Sequence, residues 1–121
     1  MRLESALLIR VRVPLRRPFR TAHGVTTTKE SVLVCLHTDE GVGWGECAAE
    51  IAPSYTAEFV ASAWLVLRDH LLPRLLSAPW SSYEELDERT TVVRGHSMAK
   101  AAIETALLDA HLRARDMNLA N

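Results

Sequence analysis

Two glycines separated by one residue inside a strand constrain this chain more than any other feature. Over residues 31–47, Ser31, Leu33 and Cys35 alternate with Val32, Val34 and Leu36 at strand length and strand period. Asp39, Glu40 and Gly41 supply a turn. The return strand places Gly43 and Gly45 on one face and Val42, Trp44 and Glu46 on the other. A strand face of almost bare backbone holds only if something packs closely against it, so a helix is expected there. The segments before Lys29 and after Cys47 leave this hairpin at the same end of the sheet, which makes that end the candidate functional edge.

The remaining elements follow in order. Residues 3–13 read as a first strand with Leu7, Ile9, Val11 and Val13 inward, ended by Pro14 and Pro18. Residues 15–28 carry no clear period and read as a long loop, residues 48–55 as a second irregular segment. Thr56 is a candidate cap for a helix whose stripe is Phe59, Val60, Ala63, Trp64, Leu67 and Leu71, stopped by Pro73. The Ser82-x-x-Glu85 capping box starts a second helix over residues 83–93, with Gly95 as its left-handed terminator. Ser97 is expected to cap a third helix, to Arg115, striped with Ala99, Ala102, Ala106 and Ala110. These alanines are the expected partners of the glycine face, and Asp109 and Arg113 are spaced as an exposed pair. Strands followed by helices define an α+β domain: a three-stranded antiparallel sheet and then a three-helix segment.

At 121 residues the chain has the length of one domain with its own core. Its net charge of −1 provides no long-range field for nucleic acid, and no apolar run nears the roughly 20 residues of a membrane span. Arg10, Arg12, Arg16, Arg17 and Arg20 crowd the start; Arg10 and Arg12 alternate with apolar residues and read as a solvated strand face. Without a leader sequence, Cys35 and Cys47 are expected to be buried, reduced thiols in a cytoplasmic protein. The five histidines are scattered without metal-ligand spacing, and neither a phosphate-binding glycine loop nor a nucleophile elbow is present. Glu46 and Glu50 are a candidate carboxylate pair, with a solvated strand end as the plainer reading. His23 is singled out because it sits in a loop.

Several motifs in one order resemble the amino-terminal part of the enolase superfamily. They are Pro18-Phe19-Arg20-Thr21 with Gly24, then Gly43-Trp44-Gly45-Glu46-Cys47, then Pro53 and Tyr55, then residues 66–73, and finally Met98 through Asp109. Within it, the chain is most similar to the o-succinylbenzoate synthase and N-succinylamino-acid (N-acylamino-acid) racemase branch of the muconate-lactonising subgroup. The resemblance implies that residues 1–121 are a capping domain over the mouth of a (β/α) barrel that lies outside this chain. It also implies that the barrel, acting with Mg2+ or another divalent ion, removes a proton α to a carboxylate. On that basis the chain itself holds no catalytic residue, metal ligand or cofactor. Its partners are its own barrel, a small carboxylate substrate and, when complete, further copies in a homo-oligomer, with no nucleic acid and no membrane.

The resemblance further assigns substrate contact to two lid segments, Phe19, Arg20, Thr21, Ala22, His23 and Gly24 in the first and Glu50, Ile51, Ser54 and Tyr55 in the second. Ala22 and His23 stand where the branch has serine and phenylalanine, and Glu50 where it has an apolar residue, so a polar and a charged group join the lid. The alternatives are the cap of a dipeptide epimerase or muconate-type cycloisomerase, and, from another class, a free-standing α+β binding module. A cap without its barrel should expose an apolar patch of several hundred Å2.

Overall fold

The computed structural model describes residues 1–22 and 24–120. Strands β1 (Leu3–Thr21), β2 (Gly24–Thr38) and β3 (Val42–Cys47) form one antiparallel sheet in that order. Helix α1 (Val60–Val66) continues through a π-helical turn (Leu67–Leu71) into α2 (Leu72–Leu76), and α3 (Tyr83–Thr91) and α4 (Ser97–Ala114) follow. The chain is thus the expected α+β arrangement, a sheet followed by three helical bodies.

The glycine face decides how sheet and helices meet. A Cβ on Gly43 would lie 1.9 Å from the Ala106 carbonyl oxygen, and one on Gly45 would lie 2.0 Å from that of Ala102. Helix α4 therefore rests directly on the backbone of β3, and the stripe Ala99, Ala102, Ala106 and Ala110 is fully buried against it. Val32, Val34 and Leu36 of β2 are buried on the same side, under Val60, Ala63, Leu67, Leu71 and Leu75. Burial of each such leucine or valine is worth about 2 kcal/mol.

Two carboxylates fasten α4. Glu58, only 8% exposed, accepts hydrogen bonds from the amides of Met98 (2.9 and 3.1 Å) and Ala99 (3.4 Å). It satisfies amides at the positive end of α4, a favourable place for an anion. Farther along, Asp109 accepts from the Trp44 amide at 2.9 Å and from Arg113 Nε at 2.9 and 3.0 Å. The expected Asp109–Arg113 pair therefore also anchors the edge strand. Partial burial pushes the Asp109 carboxyl up, but the Trp44 amide and the Arg113 guanidinium outweigh it and hold the group below the usual carboxylate range.

Several expectations are corrected. Residues 15–28 are not a loop: β1 and β2 run on as a two-stranded arm in which Phe19 pairs with Thr26 and Thr21 with Gly24. The inward face of β1 is the opposite one, because Ala6 and Leu8 pack on the core while Leu7 is 52% and Val13 54% exposed. Alternation fixes two faces but does not say which is covered. With Trp44 (43% exposed), these residues leave an apolar outer sheet face. Thr56 does not cap α1, which starts at Phe59 with Ser62 Oγ accepting from the Phe59 amide, and α4 is capped by Glu58 while Ser97 is already helical. Pro73 does not stop its helix. The Leu72 amide bonds to Leu67 O, five residues back, and this wider turn relieves the clash of the proline ring with the preceding turn. The Ser82 cap holds, its Oγ accepting from the Glu85 amide, and Gly95 has φ +64°. Cys35 and Cys47 are free and buried, and burial pushes both thiols up. They do not face each other, since Cys35 pairs with Trp44 and Cys47 with Val32.

Gly45→Ala is expected to cost about 3 kcal/mol or more in urea unfolding, since the clash is with backbone. Glu58→Ala should cost about 2 kcal/mol and Glu58→Gln less, because an amide oxygen still accepts one bond. Asp109→Ala should cost about 1 kcal/mol at pH 7. A carboxyl depressed by folding stabilises above its unfolded value, so that difference should shrink as pH falls below about 4 and disappear below the folded value; denaturation of both proteins across pH 2–7 measures it.

Candidate functional site

The arm and the segment after β3 enclose a cleft of about 520 Å3, at the end of the sheet that the hairpin reading picked out. Its shape comes from a slip in register. Pro14 pairs with Thr28 but Phe19 with Thr26, so residues 15–18 of β1 lie opposite Thr27 alone. The slip of three is odd, and in a structure of period two an odd slip exchanges the faces of a strand. From Ser5 to Val13 the odd residues of β1 look away from the helices; beyond the slip, Phe19 shares the face of Thr26. Leu15, Arg17 and Phe19 thus form one wall. Pro14 and Pro18 bracket the slip and supply no amide to the ladder.

The other wall is held at both ends. Ala49 is 3% exposed, and the Val60 amide donates to the Glu50 carbonyl at 2.7 Å, which makes a bridge between Glu50 and Phe59. Between these points Glu50, Ile51, Ala52 and Ser54 line the cleft.

The charges around it are unequally used. Lys29 Nζ lies 3.7 Å from Glu46, and Arg10 lies 3.5 Å from Glu30. Glu46 is thus engaged on the outer face and makes no pair with Glu50. Among the described residues, no hydrogen bond or ion pair engages the side chains of Arg17 or Glu50.

Of the ten expected contact residues, the cleft gathers Phe19, Glu50, Ile51 and Ser54. Arg20, Thr21, Ala22, Gly24 and Tyr55 are exposed and do not line it; Thr21 Oγ1 donates to the Gly24 carbonyl at 3.5 Å. His23 lies outside the described residues. Leu15, Arg17, Thr26 and Thr28 were missed, and the signal for them is the alternation Leu15, Arg17, Phe19 across Pro18. A second cavity of about 400 Å3, between α3 and α4, includes none of the ten in its lining. Among the described residues, no three of His, Cys, Asp or Glu come close enough to hold a metal ion. No helix is long and apolar enough to cross a membrane.

Comparison with known proteins gives these features a context. Residues 4–121 match the family model of the mandelate racemase / muconate lactonizing enzyme N-terminal domain. An N-succinylamino acid racemase from an Amycolatopsis species is 40% identical over 120 residues, 99% of this chain and 33% of the relative. The L-Ala-D/L-Glu epimerase of Bacillus subtilis is 36% identical over 111 residues, 90% of this chain and 29% of that one. An enolase-superfamily crystal structure from Listeria innocua superposes with a TM-score of 0.85 at 36% identity, covering 95% of this chain and 31% of that one. The chain spans about a third of the length of the curated relatives it matches.

If the slip turns Phe19 into the cleft, deleting one of residues 15–17 should turn it out again. With tryptophan at position 19, the indole emission should shift to the red by several nanometres in the deletion variant relative to the same substitution at full length; an unchanged spectrum would contradict the face exchange.

Proposed function

Because the chain belongs to the mandelate racemase / muconate lactonizing enzyme N-terminal domain family, we propose that it is the capping domain of an enolase-superfamily enzyme that abstracts a proton α to a carboxylate. The substrate is an N-acylamino acid or an o-succinylbenzoate precursor, after the relatives it resembles. The observation that carries this reading is the cleft itself, in which the arm and residues 48–54 form two walls around Phe19 and Ile51. Such a site, lined by apolar groups with a few charges, suits the non-reacting end of a small substrate.

The chemistry belongs to a barrel partner. No cluster of ligating side chains is found among the described residues, so no step is assigned here to a divalent ion held by this chain. When bound in the barrel, that ion would stabilise the enediolate. What this chain contributes is enclosure. Leu15, Phe19 and Ile51 exclude water, and contacts to the distal group position the reacting carbon, so binding energy far from the reaction raises the rate. Arg20, Thr21, Ala22, His23, Gly24 and Tyr55 stay in the proposal as lid-tip groups that meet the substrate on closure. The complete protein is proposed to be a cytoplasmic homo-oligomer.

The reading is tested in the complete protein that carries this chain, by loss of α-protium from N-succinyl and N-acetyl amino acids in D2O with Mg2+. Exchange is expected with the complete protein and none with residues 1–121 alone. Exchange by the 121-residue chain, or by neither protein, would reject the proposal.

A further inference from the structure

We propose that the outer face of the sheet, the one turned from the helices, is where a second copy of this chain docks, sheet against sheet across a two-fold axis. An antiparallel sheet with one solvated face alternates apolar and polar residues. Here Ala6-Leu7-Leu8-Ile9 and Val32-Leu33-Val34-Cys35-Leu36 are unbroken apolar runs, the pattern of strands covered on both faces. The register sets Leu7 opposite Cys35, Cys35 opposite Trp44, and Ile9 opposite Leu33. The uncovered side is therefore one apolar band across all three strands, with Leu7, Val13, Val42 and Trp44 exposed in it.

On the capping-domain reading, on which this step rests, the chain's own barrel does not cover the band. Thr26, Thr28 and Glu30, which line the cleft, alternate in step with Val32 and Val34 on the helix side of β2. A barrel that meets the cleft approaches from that side, and the band looks the other way. Charge then favours a copy over a foreign partner. Between Ser5 and Val13 the charged side chains on this face, His37 aside, are Lys29 and Glu46, which lie 3.7 Å apart and pair with each other. A face without net charge offers nothing to select a polyanion or a charged peptide, and it does not repel itself when it meets its own copy. At about 3.4 Å per residue and about 4.8 Å between strands the band covers roughly 450 Å2, so two copies remove on the order of 1,000 Å2, about the size at which specific interfaces begin.

Light scattering on the complete protein tests the pairing, and an even number of chains is expected. Leu7→Glu and Leu7→Lys each put like charges on both sides of the axis, so each should halve the mass without loss of far-ultraviolet dichroism. An equimolar mixture of the two should restore the mass, because opposite charges then meet. Trp44→Glu should halve the mass as well, and it decides the matter should the Leu7 variants fail to fold. An unaltered protein that is monomeric or odd-numbered overturns the proposal. So does a mass that Leu7→Glu and Trp44→Glu leave unchanged, or a mixture that stays dissociated; unchanged mass with a lowered urea midpoint gives the face to the barrel instead. The D2O exchange assay separates this proposal from the capping-domain reading. Exchange without pairing through this face keeps the reading and rejects the interface, pairing without exchange keeps the interface and rejects the reading, and absence of both defeats both.

Discussion

The close approach of helix α4 to β3 is the constraint on which the other features depend. Main chain meets main chain at Gly43 and Gly45, with Ala102, Ala106 and Ala110 as the only side chains small enough to lie between. Packing at this distance fixes the height of the helix above the sheet, and a side chain on either surface would lift the layers apart. Once that height is set, the space left on β2 is the space that Leu67, Leu71 and Leu75 fill. Larger residues occupy the rest of the core because glycine and alanine occupy this seam.

Glu58 connects the seam to the cleft. Its carboxylate binds amides that begin α4, while two residues later the Val60 amide takes the carbonyl of Glu50. The wall made by residues 48–54 is thus strung between the end of β3 and a residue locked to the helix that β3 carries. A recognition surface of irregular backbone gains rigidity in this way from regular elements on either side. The arm is paired on one side: among the described residues beyond Pro14, β1 pairs with β2, and Val25 and Phe19 are 60% and 62% exposed. One wall is tied to the helical layer, and the other extends as a two-stranded ribbon.

Much of this was legible in the residues, for identifiable reasons. Gly43 and Gly45 could be read because bare backbone in a strand demands a close neighbour, and the alanine stripe on α4 was the one surface that fits. The Ser82 cap was legible because its partner lies three residues away. Contacts over long separations were not: Glu58 reaches forty residues ahead to Met98, and nothing near it marks the destination. Prolines misled twice. Pro14 and Pro18 looked like the end of a strand but flank an irregularity within it, and Pro73 looked like a stop but follows a widened turn that accommodates it. The candidate edge of the sheet was placed correctly from hairpin geometry. Four of the ten expected contact residues line the cleft, and the other residues of the arm's wall were not legible because the arm was read as a loop without faces.

The irregularity between Pro14 and Phe19 also bears on how such a wall can change over generations. Because a ribbon's two surfaces alternate, gaining or losing a single residue there swaps the whole set of groups presented to a ligand, whereas gaining or losing two leaves the set in place and alters only its reach. Length variation at one exposed spot, far from the seam that holds the domain together, can therefore revise what is recognised in one discrete step at little expense to the fold.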